Sequence, residues 1–477
     1  MRSMVEHLMG TMGGGDYGGA EARGRAVILV PFPAQGHVTP MLHLARALAR
    51  RGFAPTLALP DFFHGAAAPP LDPAVALAPL ATGTPRGGGG EGFAGLVAAM
   101  EARAPAQLER LLLRRRGAGA GAGEEVACVV VDVLASWAVP IAARCGVPAA
   151  GFWPAMLASY RIVSAIPELL RKGLISNCGT PLQELHLPFL PKATAGDLPW
   201  LVGNSTSRKL RFAFWRRTLR RAQTLPHILV NSFDDAEPGS RDLPELTTSP
   251  PGPRILPIGP LTAHDEARPN YGLYQPDPTC VDWLDSKPAG SVIYVSFGSW
   301  VGPIGPDRVD ALARGLDSTG RPFLWALKPE PAWRTGLPAR FEERVAGRGK
   351  LVGWAPQEEV LGHPSVGCYL THCGWNSTVE ALKCAKRLLC YPISGDQFVN
   401  CEYIEGVWGI GLRVDTMDLG ELRGCVEKVM GGREGEEMQR RVDELRREVL
   451  QGKASVRAKN NLQLFVDSIK RTPRVRE

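Results

Sequence analysis

The stretch Ala26-Val27-Ile28-Leu29-Val30-Pro31-Phe32-Pro33-Ala34-Gln35-Gly36-His37, with residues 38–59 behind it, decides the fold. Ala26 to Val30 are five apolar residues without polar alternation. That is the pattern of a strand buried on both faces of a parallel sheet. Residues 31–36 read as a loop. A helix should follow, with Pro40 in its first turn, where the missing N–H costs little. Met41, Leu44, Ala45 and Leu48 recur at helical spacing and make one apolar stripe. Arg50-Arg51-Gly52 then offers cations and a glycine at the helix end. Residues 55–59 form the next expected strand. Strand, helix, strand is a right-handed βαβ unit, so the class is α/β.

Outward from this unit the pattern repeats. Further strands are expected at 126–131, 147–152 and 227–231. A second series starts at 292–297. Its helix carries Pro306 near the start, Val309, Leu312 and Leu316 on one face, and Gly320 at the end. Strands at 322–327, 350–352, 366–371 and 387–391 follow, then a polar helix at 454–469. Between the two series lie Ser249-Pro250-Pro251-Gly252-Pro253 and Pro257-Ile258-Gly259-Pro260, which read as an interdomain linker. Residues 87–90 and 117–123 are glycine-rich, low-complexity loops. At 477 residues the chain exceeds one core. Two doubly wound halves with a cleft between them are the coarse result.

Composition narrows the function. The net charge is +7 and 44% of residues are hydrophobic, ordinary for a globular protein. Arg114-Arg115-Arg116 and the group Arg216, Arg217, Arg220 and Arg221 read as solvated helix faces, without the aromatic interleaving of a nucleic-acid surface. A mild positive field would favour a nucleotide diphosphate. The ten cysteines include no C-x-x-C pair, and several sit in apolar runs, which fits a reduced compartment. Residues 1–25 are glycine-rich, have no signal-peptide core and read as a disordered extension. No run reaches the ~18 apolar residues of a membrane span. Cytoplasmic residence is the expectation.

The chemistry concentrates between Trp354 and Gln397. An apolar strand ends at His372, Gly374 permits a tight turn, and a helix starts with Asn376 and Ser377. A helix amino end with unpaired N–H groups is an anion site. Glu380 lies one turn deeper on the same face, where a carboxylate can accept a pair of ribose hydroxyls. Trp354 offers a flat surface to a base, and Asp396 with Gln397 offers polar atoms to a sugar. Residue by residue, a well-capped strand–turn–helix would serve as well. In the first half, His37 opens a helix whose positive end disfavours imidazolium. Asp132 ends the apolar strand 126–131, at the sheet edge where ligands bind. Alone, these two also fit a helix-start histidine and a loop cap.

Together the residues from Trp354 to Gln397 resemble the 44-position signature box of plant-type family 1 UDP-glycosyltransferases. Pro33-Ala34-Gln35-Gly36-His37 is similar to that family's catalytic loop, and Val130-Val131-Asp132 to its supporting aspartate. Asn231-Ser232-Phe233 and Glu237-Pro238 match as well. The resemblance implies the GT-B fold, two facing Rossmann-like domains with an interdomain cleft. It implies an extension at 1–25, an acceptor-binding domain at 26–250, a linker at 251–265, a UDP-sugar-binding domain at 266–455, and a C-terminal helix at 456–477 packing back on the first domain.

The resemblance also assigns roles. Trp354 stacks on uracil, and Ala355 and Gln357 touch uracil and ribose. Glu380 binds ribose. His372, Gly374, Asn376 and Ser377 hold the diphosphate with Ser299, and Trp375, Asp396 and Gln397 meet the sugar. The final glutamine points to glucose. His37 is the general base, supported by Asp132, in a direct displacement with inversion. No cofactor or metal is implied; UDP-glucose is a substrate, and no D-x-D pair is placed to hold an ion. The expected partner is a small lipophilic acceptor such as a phenolic, flavonoid, terpenoid or hormone-like molecule, without nucleic acid, and the chain should be a monomer. Phe152, Trp153, Met156, Trp200 and Phe398 are expected around the acceptor. The chain departs from many relatives at Pro154, where a Thr or Ser hydroxyl would touch the donor sugar.

Three other readings are weaker. A nicotinamide oxidoreductase needs G-x-G-x-x-G after the first strand, which residues 31–36 lack. A non-catalytic sugar-nucleotide binder would lose His37 or Asp132. A C- or N-glycosyltransferase differs only in its acceptor.

Overall fold

The computed structural model describes residues 24–61, 73–81, 92–117, 125–183, 198–233, 252–261, 275–298 and 302–471. Residues 1–23, the glycine-rich 87–90, most of 117–123, Glu237-Pro238 and Ser299 lie outside the described residues.

Two parallel sheets organise the chain. The first contains β1 (Ala26–Val30), β2 (Ala54–Pro60), β3 (Ala76–Leu80), β4 (Val126–Asp132), β5 (Ala149–Trp153), β6 (His227–Val230) and β7 (Arg254–Pro257), in the order β3-β2-β1-β4-β5-β6-β7. The second contains β8 (Val292–Ser296), β9 (Phe323–Ala326), β10 (Gly349–Val352), β11 (Val366–Thr371), β12 (Arg387–Cys390) and β13 (Gly411–Arg413), in the order β10-β9-β8-β11-β12-β13. In both sheets the strand order reverses beside the first strand of the series, which leaves a crevice at the carboxyl ends. The β-branched runs of β1 and β4 are buried along their whole length, as helices on both faces demand.

Three strands escaped the periodicity. β3 and β13 are partly exposed and short, and β7 lies within the expected linker. β7 pairs with β6 in the register His227↔Arg254 to Val230↔Pro257. Pro257 is tolerated because β7 is an edge strand, whose outward N–H positions need no partner. The connection between the sheets therefore begins after β7, later than the proline-rich signal suggested.

The first helix, Gln35–Ala49, begins earlier than expected. Ala34 is its extended N-cap, so Gly36 and His37 belong to the first turn and Pro40 to the second. At the other end of the chain, helix Lys453–Arg471 returns to the first sheet. Leu462, Phe465, Val466 and Ile469 are buried against Phe152, Leu229 and Leu256. Asn461 Nδ2–H donates to the Pro257 carbonyl at 2.8 Å. Each buried apolar side chain contributes about 1.5–3 kcal/mol, enough to clamp the C-terminus to the first lobe.

Candidate active site

The carboxyl ends of β1, β4, β5, β8, β9 and β11 open onto one cleft of about 330 Å³ between the lobes. Each lobe contributes a separate piece of chemistry.

From the first lobe, His37 Nδ1 lies 2.7 Å from Asp132 Oδ2. Asp132 is fully buried at the end of β4, and its other oxygen accepts the Leu134 N–H at 2.9 Å. The carboxylate fixes the tautomer: Nδ1 carries the proton and Nε2 is left as an acceptor. His37 itself is 22% exposed on the side away from Asp132, and the Phe32 ring lies beside it at 5.3 Å between centroids.

From the second lobe, β11 runs into His372, Cys373 with φ 63°, and Gly374 as N-cap of helix Trp375–Lys383. His372 is buried, and burial pushes its imidazole down to about 4. The neutral ring is an N–H donor at physiological pH. An unfolded histidine protonates near 6.5, so as pH falls from there toward 4 the unfolded chain binds the proton first. Stability tied to neutral His372 is full above 6.5 and lost across that interval.

The ring fits because two glycines flank it. A Cβ on Gly298 would come within 2.7 Å of the His372 ring, and one on Gly374 within 2.4 Å. Gly374 has φ −61°, so an alanine there is sterically blocked only by the imidazole. Gly374→Ala is expected to raise the Kd for UDP by about tenfold or more, the value of one charge-assisted hydrogen bond, with little loss of melting temperature. Calorimetric titration measures this, and an unchanged Kd would show that the ring position does not matter to the donor.

Gln357 is a hub. Its Oε1 accepts from Tyr294 Oη and Tyr369 Oη at 3.2 Å each. Its Nε2 donates to Ser377 Oγ at 3.0 Å and Glu380 Oε2 at 2.6 Å. The two tyrosine rings stack at 4.9 Å; burial pushes Tyr369 up to about 12 and Tyr294 up as well, so both hydroxyls remain donors. All four bonds of the amide are spent on the protein, which sets Ser377 and Glu380 in place. Burial raises Glu380 to about 7, against the pull of the Gln357 N–H. Burial also raises Asp396, with the Asn400 side chain and the nearby His37 opposing it. Gln397 Oε1 accepts the N–H groups of Ile393 and Ser394 at 2.8 and 2.9 Å, holding its own loop.

The lobes meet through this motif. Asn376 Nδ2–H donates to the Gly36 carbonyl at 3.0 Å. That carbonyl is free because Pro40, four residues on, has no N–H to return. Trp375 Nε1–H donates to the Asn231 carbonyl at 2.7 Å, and its indole packs on Phe233 and Trp408.

His37, Trp354, Ala355, Gln357, His372, Gly374, Trp375, Asn376, Ser377, Glu380, Asp396 and Gln397 all line the one cleft. The expected acceptor residues fare differently. Trp153 lines the cleft. Phe152 points to the opposite face of β5, into the core under helix Lys453–Arg471. Met156 is fully buried, and Trp200 is buried with its indole N–H donated to the Gly179 carbonyl at 2.8 Å. Phe398 is half-buried outside the cleft wall. Apolar character is what points to these four, and core packing satisfies it equally well. The wall is built instead by Phe32, Phe93, Leu134, Val163, Arg211 and Trp215. Phe93 and Trp215 belong to helices Gly92–Gly117 and Ser205–Ala222; the run Phe212-Ala213-Phe214-Trp215 is plain in the sequence, but not which of its faces meets the cleft.

The cysteines also hold something that spacing hid. Among the described residues, Cys373, Cys390 and Cys401 bring their Sγ atoms within 4.8 Å of one another beneath the His372 turn. Burial pushes the Cys373 and Cys390 thiols up, as for small hydrophobes in a core.

Comparison with known proteins agrees with this geometry. Residues 276–446 match the family described as UDP-glucoronosyl and UDP-glucosyl transferase, and residues 24–63 match the glycosyltransferase N-terminal domain. UDP-glycosyltransferase 82A1 of Arabidopsis thaliana is 44% identical over 91% of this chain and 96% of its own length. DIMBOA UDP-glucosyltransferase BX8 of Zea mays is 37% identical over 90% and 94%. The crystal structure of Os79 from O. sativa in complex with UDP superimposes with a TM-score of 0.77 at 26% identity, over 93% of this chain and all of that one. The two crevices, the facing helix ends and the near full-length likeness have one reading: this chain belongs to the plant family 1 UDP-glycosyltransferases, GT-B enzymes that transfer a sugar from a UDP-sugar.

Proposed function

We propose that this enzyme transfers glucose from UDP-glucose to a hydroxyl of a small lipophilic acceptor, with inversion, and that His37 is its general base. The observation that carries the reading is the His37–Asp132 pair at 2.7 Å, joined across the cleft to the helix amino end of Asn376 through the Gly36 carbonyl. In this reading the first lobe takes the acceptor and the second the donor. Trp354 and Ala355 receive the uracil, and Glu380, oriented by Gln357, receives the ribose. His372, Gly374, Asn376 and Ser377 receive the diphosphate, with Ser299 as a further candidate. Trp375, Asp396 and Gln397 border the sugar.

The acceptor oxygen gives its proton to His37 Nε2 and attacks the anomeric carbon, and UDP leaves from the opposite face. Asp132 stabilises the imidazolium that forms, without taking the proton. Charge developing on the diphosphate is met by neutral N–H donors and the helix end. A metal ion is not needed for that task. Chelator treatment is therefore expected to leave the rate unchanged in a coupled UDP-release assay; a strict need for manganese would contradict the proposal.

The broader test is incubation with UDP-glucose and panels of phenols, flavonoids and terpenoids, followed by mass spectrometry. The linkage should be β by proton NMR. An α-linked product, or transfer to carbon alone, would overturn inversion or oxygen attack. The ten cysteines, none of them in a disulfide, support a reduced, cytoplasmic setting. No helix among the described residues is long and apolar enough to cross a membrane. We propose further that the chain acts as a monomer.

A further inference from the structure

The acceptor side of the cleft is largely apolar and rich in aromatic rings, with one cation among them. Phe32, Phe93, Trp153 and Trp215 form its walls, and Arg211 is the one lysine or arginine among its described lining residues. Arg211 projects from helix Ser205–Ala222 and is half-buried. Its guanidinium carbon sits 4.5 Å from the centre of the Phe93 ring. Its Nε is buried and has no hydrogen-bond partner among the described residues.

Two other cations of that helix have an acidic partner. Glu101 pairs with Arg217 at 2.9 Å and with Arg221 at 2.8 Å. Among the described residues, the carboxylates in and beside the cleft are committed too: Asp132 holds His37, Glu380 accepts from Gln357, and Asp396 accepts from Asn400. An arginine cannot shed its charge, and no carboxylate among the described residues pairs with this half-buried one. Its planar fork matches a carboxylate in a bidentate pair.

We propose that Arg211 is the acceptor's anion subsite, and that the preferred acceptors are hydroxyaryl carboxylic acids. Resting on the proposed transfer reaction, this names its substrate class. Two rings, Phe32 and Phe93, separate His37 from Arg211, with centroids 5.9 Å apart. In this proposal the attacking oxygen sits on the His37 side of the two rings and the carboxylate on the Arg211 side. The acceptor carries its hydroxyl at His37 and its acid at the far end, with an aromatic spacer along the Phe32–Phe93–Trp153 wall. The sugar goes onto the hydroxyl, and the acid serves for recognition only.

The test compares a para-hydroxyphenyl alkanoic acid with its methyl ester, using purified full-length chain and UDP-glucose. For the unsubstituted enzyme, kcat/KM for the acid should exceed that for the ester by about tenfold or more, from a charge-assisted bidentate pair. Most of the difference should lie in KM. Arg211→Met should erase or invert the acid-to-ester ratio, and Arg211→Lys should restore part of it. The ratio within each variant is the readout, so partial loss of folded protein cancels. An unmodified enzyme that treats acid and ester alike, or a ratio that Arg211→Met leaves intact, overturns the inference. So does an enzyme that glucosylates neutral phenols and ignores the acid. Failure to glucosylate any acceptor would instead strike the transfer reading itself, and this inference with it.

Discussion

Replacing His37 by alanine is expected to lower kcat/KM for acceptor glucosylation by about 10²–10⁴, the usual contribution of a positioned general base. The Kd for UDP should stay nearly unchanged, because the proposed nucleotide residues belong to the other lobe. The physical reason is the division of labour seen in the cleft. His37 stands on the first helix with its Nδ1 committed to Asp132 at 2.7 Å, so only Nε2 is available to a reacting oxygen. Asp132→Asn should lose activity in the same direction, because the amide can present its N–H to Nδ1 and turn the tautomer around. Steady-state kinetics with UDP titration separates the two effects. A His37→Ala enzyme with undiminished turnover would remove the base from this position.

The second large effect concerns Glu380, and it has two opposite faces. Glu380 is half-buried, and its desolvation raises it to about 7 from an ordinary 4.5. The folded chain therefore holds this proton across a window in which the unfolded chain has released it. Stability accordingly falls as pH rises from about 4.5 to about 7. Glu380→Gln keeps the shape and removes the charge. It should stabilise the enzyme at pH 8 by up to about 3 kcal/mol, since each tenfold difference in proton affinity between folded and unfolded chain is worth about 1.4 kcal/mol. The gain should shrink toward zero below pH 4.5. The same variant should bind UDP about 10- to 100-fold more weakly, since hydrogen bonds to a charged group contribute about 1.5–3 kcal/mol. Denaturant unfolding at pH 5 and pH 8, beside calorimetric UDP titration, checks both halves. A variant with unchanged UDP affinity would dismiss the ribose contact, and one with no gain at pH 8 would show that the carboxylate is not strained by burial.

The two halves of the cleft were unequally legible in the sequence. The donor half is contiguous, from Trp354 to Gln397, so a local pattern of residue types survives as a readable string. What the string does not carry is how Gln357 is held: Tyr294 and Tyr369 donate to its oxygen. Tyr294 lies on a different strand, and no spacing rule connects it to Gln357. The acceptor half is assembled from β1, β5 and two helices more than a hundred residues apart. Phe152 and Trp153 are adjacent in sequence, and strand alternation sends one into the core and the other to the cleft. Apolar character could not say which. Three of the four edge strands were missed for a related reason. β3, β7 and β13 are short or proline-bearing, and they are strands because a neighbour supplies their hydrogen bonds.

Beyond the His37 and Asp132 roles that the family resemblance implied, the amino-acid order alone determined the two parallel α/β series and the strand-to-helix turn at His372–Asn376. Buried parallel strands must be continuously apolar, and a helix amino end must be capped by particular residue types, so these features are written locally. The tertiary structure alone decided that the Gly36 carbonyl, freed by Pro40, meets Asn376 across the cleft. It also decided that Trp375 is largely absorbed by the seam between lobes, and that Arg211 lines the acceptor space with a buried Nε that has no partner among the described residues. Such facts depend on which surfaces come together when two lobes and a returning C-terminal helix bury their apolar faces. That outcome is set by the sum of many long-range contacts, and no single stretch of residues carries it.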